Sequence, residues 1–155
     1  MQPDTTDMTL VGDLADEELR ELSDEATSFI SSFRWCHEVR EGFLAFGVGG
    51  VIGVFLFRIE PALRGVDEAL WVIVGDLPPA YLVWDSAPDW RGALRCYICE
   101  MRKWVEAVQS GGSLSEVIPV KAEPTREHAD MLASRLDFLQ DHMIDDVPFD
   151  KEENV

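Results

Sequence analysis

The chain has 155 residues, 46% of them hydrophobic, and a formal net charge of −17. The apolar share excludes general disorder, the length fits one domain able to bury most of its surface, and the charge argues against nucleic-acid binding through phosphates. Residues 1–28 hold nine acids and one Arg, and residues 137–155 hold seven acids and one Lys, so these two segments supply −8 and −6, or −14 of the −17.

Residues 1–12 read as a mobile acidic arm, with the folded core expected over 13–144. MQPDTTDMTL has no basic segment followed by an apolar one, so no signal peptide is expected and a cytoplasmic protein is the natural reading. Leu19, Leu22, Ala26, Phe29, Ile30 and Phe33 recur at helical spacing, which predicts a helix over about 14–34. Asp13 is its expected N-cap, with Asp16 three residues on. The outer face is acidic. Glu17–Glu21 and Glu21–Glu25 are like-charge neighbours that each cost about 0.2–0.5 kcal/mol. A solvated helix tolerates such a cost. A face that meets a basic partner uses it.

Trp35-Cys36-His37-Glu38 leads into the longest apolar run, Phe43 to Phe57. A membrane span needs roughly 20 apolar residues, and this run is closed by Glu41 and Arg58 and broken by Gly47, Gly49, Gly50 and Gly53. A hairpin fits better. Gly49-Gly50 suits a two-residue primed turn, pairing Val48 with Val51, Gly47 with Ile52, Phe46 with Gly53, Leu44 with Phe55, Gly42 with Phe57 and Glu41 with Arg58. Phe43 and Ala45 would then lie on one face, and Leu44, Phe46 and Val48 on the other. Both faces are apolar, so both need covering, by helices of this chain or by a second copy.

Pro61 ends the second strand and a loop runs around Gly65. Leu70–Val74 and Tyr81–Trp84 read as two further strands, joined by a rigid Gly75-Asp76-Leu77-Pro78-Pro79 turn. Four strands with short connections predict an antiparallel meander. Ser86 is the expected cap of the next helix, with Pro88 in its first turn and Asp89 at N3. Its stripe is Trp90, Leu94, Tyr97, Ile98, Met101, Val105 and Val108, and Gly111-Gly112 ends it. After Leu114, Val117 and Ile118, Pro124 opens the last helix, whose stripe is Ala129, Leu132, Leu136, Leu139 and Met143. The acidic tail from Asp145 is expected to be loose. The fold expected is α+β: one helix, a four-stranded antiparallel sheet, then two helices.

The run Gly75 to Trp84, GDLPPAYLVW, followed by the capped helix, resembles a group of small uncharacterised bacterial proteins. The resemblance covers the hairpins and the helix after them. It implies a bacterial source and one compact α+β domain, and it carries no activity or catalytic residues.

Three cysteines do not make a secreted disulfide framework. Cys96-Tyr97-Ile98-Cys99 is a C-x-x-C that, with Cys36 and His37, could supply four zinc ligands. Adjacent ligands point apart on a regular element, and small residues on a helix's second face more often allow close packing, so no metal is expected. His128 and His142 share a helix face but lie about 21 Å apart along it, too far for one ion. No G-x-S-x-G, Walker loop or H-E-x-x-H occurs, and the glycines at 47–53 open no helix, so they build no phosphate cradle. Asp76 and Asp85 sit at strand ends, where Asp most often bonds its own backbone.

Trp71 and Trp90 fit core stripes. Trp35, Trp84 and Trp104 fall at element ends or off-stripe, where aromatics serve as contact anchors. The expectation is a binding protein without a cofactor: an inhibitor or immunity-type protein occluding a basic site on a partner, through Glu17, Glu21, Asp24, Glu25, Trp35, Trp84, Asp85 and Trp104. A DNA mimic that occupies a nucleic-acid-binding enzyme is one alternative. A small-molecule binder or enzyme with a pocket near Trp84, Asp85 and Cys99 is another.

Overall fold

The computed structural model describes residues 4–62, 68–115, 117–120 and 122–145. The expected loop tip at Gly65 and the tail beyond Asp145 lie outside the described residues. The chain falls into two compact units, Met1–Leu94 and Arg95–Val155.

The first unit is an antiparallel sheet with a helix on one face. Strands β1 (Thr9–Leu10), β2 (Cys36–Val48), β3 (Ile52–Pro61), β4 (Ala69–Gly75) and β5 (Leu77–Val83) lie in chain order across the sheet, and helix α1 (Glu17–Ser31) connects β1 to β2. The α+β class and the antiparallel sheet agree with the sequence reading; the strand number does not. Thr9 and Leu10 pair with Leu44 and Phe43, so part of the expected loose arm is a fifth strand. Two exposed residues give no period to read, and only their partner on β2 defines them.

α1 begins three residues later than expected. Asp16 is its N-cap: the carboxylate accepts from the Leu19 N–H at 3.0 Å. Asp13 instead closes a short 3₁₀ turn, Val11–Asp13. Leu22, Ala26 and Ile30 of α1 are buried against Phe55, Phe57 and Ile59 of β3 and Leu70, Val72 and Val74 of β4.

The hairpin forms, with a corrected turn. Val51 N–H donates to the Val48 carbonyl at 2.9 Å, so Gly49 and Gly50 are the central residues. Only Gly50 has a positive φ, +75°, as in a type II turn, whereas the expected primed turn of type I′ needs two. Val48 therefore pairs with Ile52, and Phe46 with Val54, one step out of the expected register. A bulge at Ala45 restores it, and Leu44–Phe55, Gly42–Phe57 and Glu41–Arg58 pair as expected. The extra residue flips the side chains beyond it. Leu44 packs toward the α1 core, while Phe46 stacks on Trp90 with centroids 4.0 Å apart and planes 7° from parallel, so these two do not share a face.

Val54, Leu56, Trp71 and Ile73, pointing away from α1, are also buried. The chain after β5 returns to that face, where the Trp71 indole N–H donates to the Ala87 carbonyl at 3.2 Å. The expected five-residue turn over 75–79 is shorter, because Gly75 already pairs with Leu77. Pro78 and Pro79 lie inside β5, an edge strand, at the register shift between Ile73 and Gly75, where neither is a ladder partner.

Helix α2 (Trp90–Ser110) is capped by Asp89, whose carboxylate accepts from Gly92 N–H at 2.8 Å. Ser86 instead sits in a 3₁₀ turn, Trp84–Ser86. At the other end Gly111 takes φ +72°, with Gly112 N–H bonded to Ala107 and Gly111 N–H to Val108, a Schellman closure as the Gly-Gly pair implies.

In the second unit, α3 (Arg126–Leu139) is capped by Thr125, which accepts from His128 N–H at 3.2 Å. Ala129, Leu132, Leu136 and Leu139 are buried, as the stripe predicts. Arg102 bonds Asp137 at 3.0 Å and Gln109 bonds Asp130 at 2.8 Å. Seven residues forward on α2 thus match seven back on α3, which makes the two helices antiparallel.

Candidate partner-binding surface

The Gly49-Gly50 turn does more than reverse the chain. A Cβ on Gly49 would lie 2.9 Å from both Cβ and Oε1 of Glu18, and one on Gly50 would lie 3.1 Å from its Oε2. The bare turn lets α1 lay an acid across it. The neighbouring turn is fastened alongside, since Asp76 N–H donates to the Val51 carbonyl at 3.0 Å. Between the helix and these two turns is an open groove of about 300 Å³ lined by Glu18, Glu21, Leu22, Glu25, Gly50, Gly75 and Asp76. Among the described residues four carboxylates line it, and neither Lys nor Arg does.

Among the described residues no basic side chain lies within ion-pair distance of Glu18, Glu21 or Glu25. Partial burial raises the Glu25 carboxyl from its ordinary value, because removing water disfavours the charged form. The groove thus holds charge that a cation would relieve.

The structure brings together only some of the residues expected at the surface. Glu21 and Glu25 line the groove; Glu17 and Asp24 are exposed on α1 outside it. Glu18 was missed, although Glu18, Glu21, Leu22 and Glu25 at spacings of three, one and three share one helix face. Asp76 reaches them only through the sheet. Trp35 is half-buried, stacked on Phe33 at 5.0 Å. Trp84 and Asp85 lie in the 3₁₀ turn after β5, half-buried and exposed respectively, and Cys99 is exposed on α2. Trp104 is only 3% exposed, so its ring is interior and not a surface anchor.

Among the described residues that line the groove none is His, Ser, Cys or Lys. Among the described residues no group of three or more His, Cys, Asp or Glu side chains could hold a metal ion. Cys36 is buried in the first unit's core, and Cys96 is half-buried. Burial pushes both thiols up, helped at Cys96 by Glu100. No helix among the described residues is long and apolar enough to cross a membrane.

Comparison with known proteins finds no matching family model, no matching curated protein and no matching solved structure.

Proposed function

We propose that this chain is a non-enzymatic acidic binding protein, of the inhibitor or immunity type, that occludes a basic site on a partner protein. The observation that carries the reading is the groove between α1 and the two glycine turns, where four carboxylates converge with no basic side chain among the described lining residues. Such a surface attracts a cationic partner and raises its association rate in a salt-dependent way. A lysine or arginine entering beside Glu25 lowers that carboxyl's pKa, so affinity rises with pH through the Glu25 range.

The test begins with a pull-down from host lysate at low salt, using the wild type and Glu21→Lys/Glu25→Lys. A partner held only by the wild type is then purified and its affinity measured across a salt series. Affinity should fall steeply with salt for the wild type and be weak throughout for the variant. A partner whose affinity ignores both salt and charge reversal overturns the proposal. Addition of duplex DNA sorts the two inhibitor readings: displacement of the captured partner favours DNA mimicry, and retention favours the plain inhibitor.

A further inference from the structure

Next to the groove lies a second surface of different chemistry. Phe29 and Phe33 near the end of α1, Trp35 after it and Tyr81 of β5 form one aromatic shelf. Phe33 touches Phe29, Trp35 and Tyr81 with ring centroids 5.1, 5.0 and 5.1 Å apart, and Trp35 lies 5.0 Å from Tyr81. All four are half-buried. Val83 follows Tyr81 by two residues, so it points to the same sheet face, and it is 38% exposed. β5 is the edge strand, so this shelf stands at the rim of the sheet. The rings pack on one another and leave no space between them, so the shelf is not a cage for a quaternary ammonium ion. It is an apolar face of rings packed largely edge to face, with the composition that anchors protein contacts.

We infer that this shelf is the docking face for a short basic segment of a partner protein, which sets an apolar side chain on Phe33, Trp35, Tyr81 and Val83 and places a lysine or arginine in the adjacent acidic groove. The inference rests on the inhibitor reading and names the partner's chemistry. Charge complementarity chooses the occupant. Glu25 precedes Phe29 by one helical turn, and exposed Asp85 follows Val83 by two residues in the turn after β5, so an acid stands in the chain at each border, with exposed Arg34 between Phe33 and Trp35. A second copy of this chain, itself at −17, would bring like charge to both borders.

Spacing follows from the helix. Glu25 to Phe29 is four residues, about 6 Å of rise, and Glu21 to Phe29 is eight, about 12 Å. An extended segment rises about 3.3 Å per residue. The cation and the apolar anchor should therefore lie roughly two to four residues apart in the partner.

The experiment uses synthetic capped peptides and the full chain, with binding read by titration calorimetry. One peptide series carries two arginines and one phenylalanine at separations from one to eight residues. The control is an arginine peptide of equal charge without the phenylalanine. Val83→Arg is the principal variant, because the side chain is exposed and folding tolerates it; Tyr81→Ser is the second, checked for folding by circular dichroism. At the best separation, the phenylalanine peptide should bind the wild type about tenfold tighter than the control, the scale of one hot-spot side chain. Val83→Arg should remove that advantage, and Glu21→Lys should weaken both peptides. If the two peptides bind equally, or the shelf variants leave the advantage intact, the shelf is not the docking face while the charge-based proposal stands. If no peptide binds, the shelf proposal falls. If peptides bind but Glu21→Lys has no effect, the charge-based reading falls with it.

Discussion

At Gly75 the backbone takes φ +147°, and a Cβ there would run into the Val51 carbonyl and lie 2.8 Å from Ile52 Cα. Backbone cannot swing aside as a side chain can, so Gly75→Ala should cost roughly 2–3 kcal/mol, read as a lower urea midpoint with unchanged slope. Glu25 gives a pH-dependent prediction. Its carboxyl is raised in the folded protein, so the stability linked to it is present below the unfolded pKa and is lost as pH rises through the folded one. Glu25→Gln removes that loss. Thermal melts across acid to neutral pH should show the variant gaining on the wild type as pH rises, although it binds the basic partner more weakly. Of the thiols, Cys99 is exposed while Cys36 is buried, so an alkylating reagent should modify Cys99 first, as peptide mass mapping would show.

At the scale of elements, small polar contacts set where helices begin. The Asp16 carboxylate satisfies one of the N–H groups that the first turn of α1 leaves without an intrahelical partner. Asp16→Ala should cost about 1 kcal/mol, and Asp13→Ala much less, which equilibrium unfolding of the two variants would separate. Sequence alone favoured Asp13 because both acids precede the same apolar stripe, and only the backbone path into the 3₁₀ turn decides between them. β2 shows another limit of periodicity. Register shifts occur between Cys36 and Glu38, between Val39 and Glu41, and between Leu44 and Phe46, so thirteen residues oppose ten. Alternation holds between such shifts and inverts across each one. The pattern of apolar residues therefore identified a hairpin, while the face of Phe46 followed from a bulge that leaves no mark in composition. The acid face of α1 was legible, since Glu21 and Glu25 recur at helical spacing; its convergence with Asp76 was not, because fifty residues, 26–75, and three strands intervene.

For the whole molecule, charge excess opposes compaction. The ion pairs among the described residues are at the surface, each worth about 0–1 kcal/mol, against a net −17. Screening should relieve more repulsion than it removes attraction. Raising salt should thus stabilise the chain by about 1 kcal/mol, or about 3 °C in Tm, in calorimetry of the partner-free protein. The same salt should weaken partner binding. These opposite responses separate a surface kept acidic for binding from one that merely carries charge.

Local physics let the amino-acid order alone determine the α+β class, the hairpin about Gly49-Gly50, the helix stripes and the Schellman end at Gly111, because each depends on residues within a turn or two of one another. Tertiary structure decided the fifth strand, the inverted face of Phe46 and the meeting of α1 acids with Asp76. These depend on which distant backbone supplies a hydrogen-bond partner, and a strand of two residues or a one-residue bulge becomes defined only when that partner is in place.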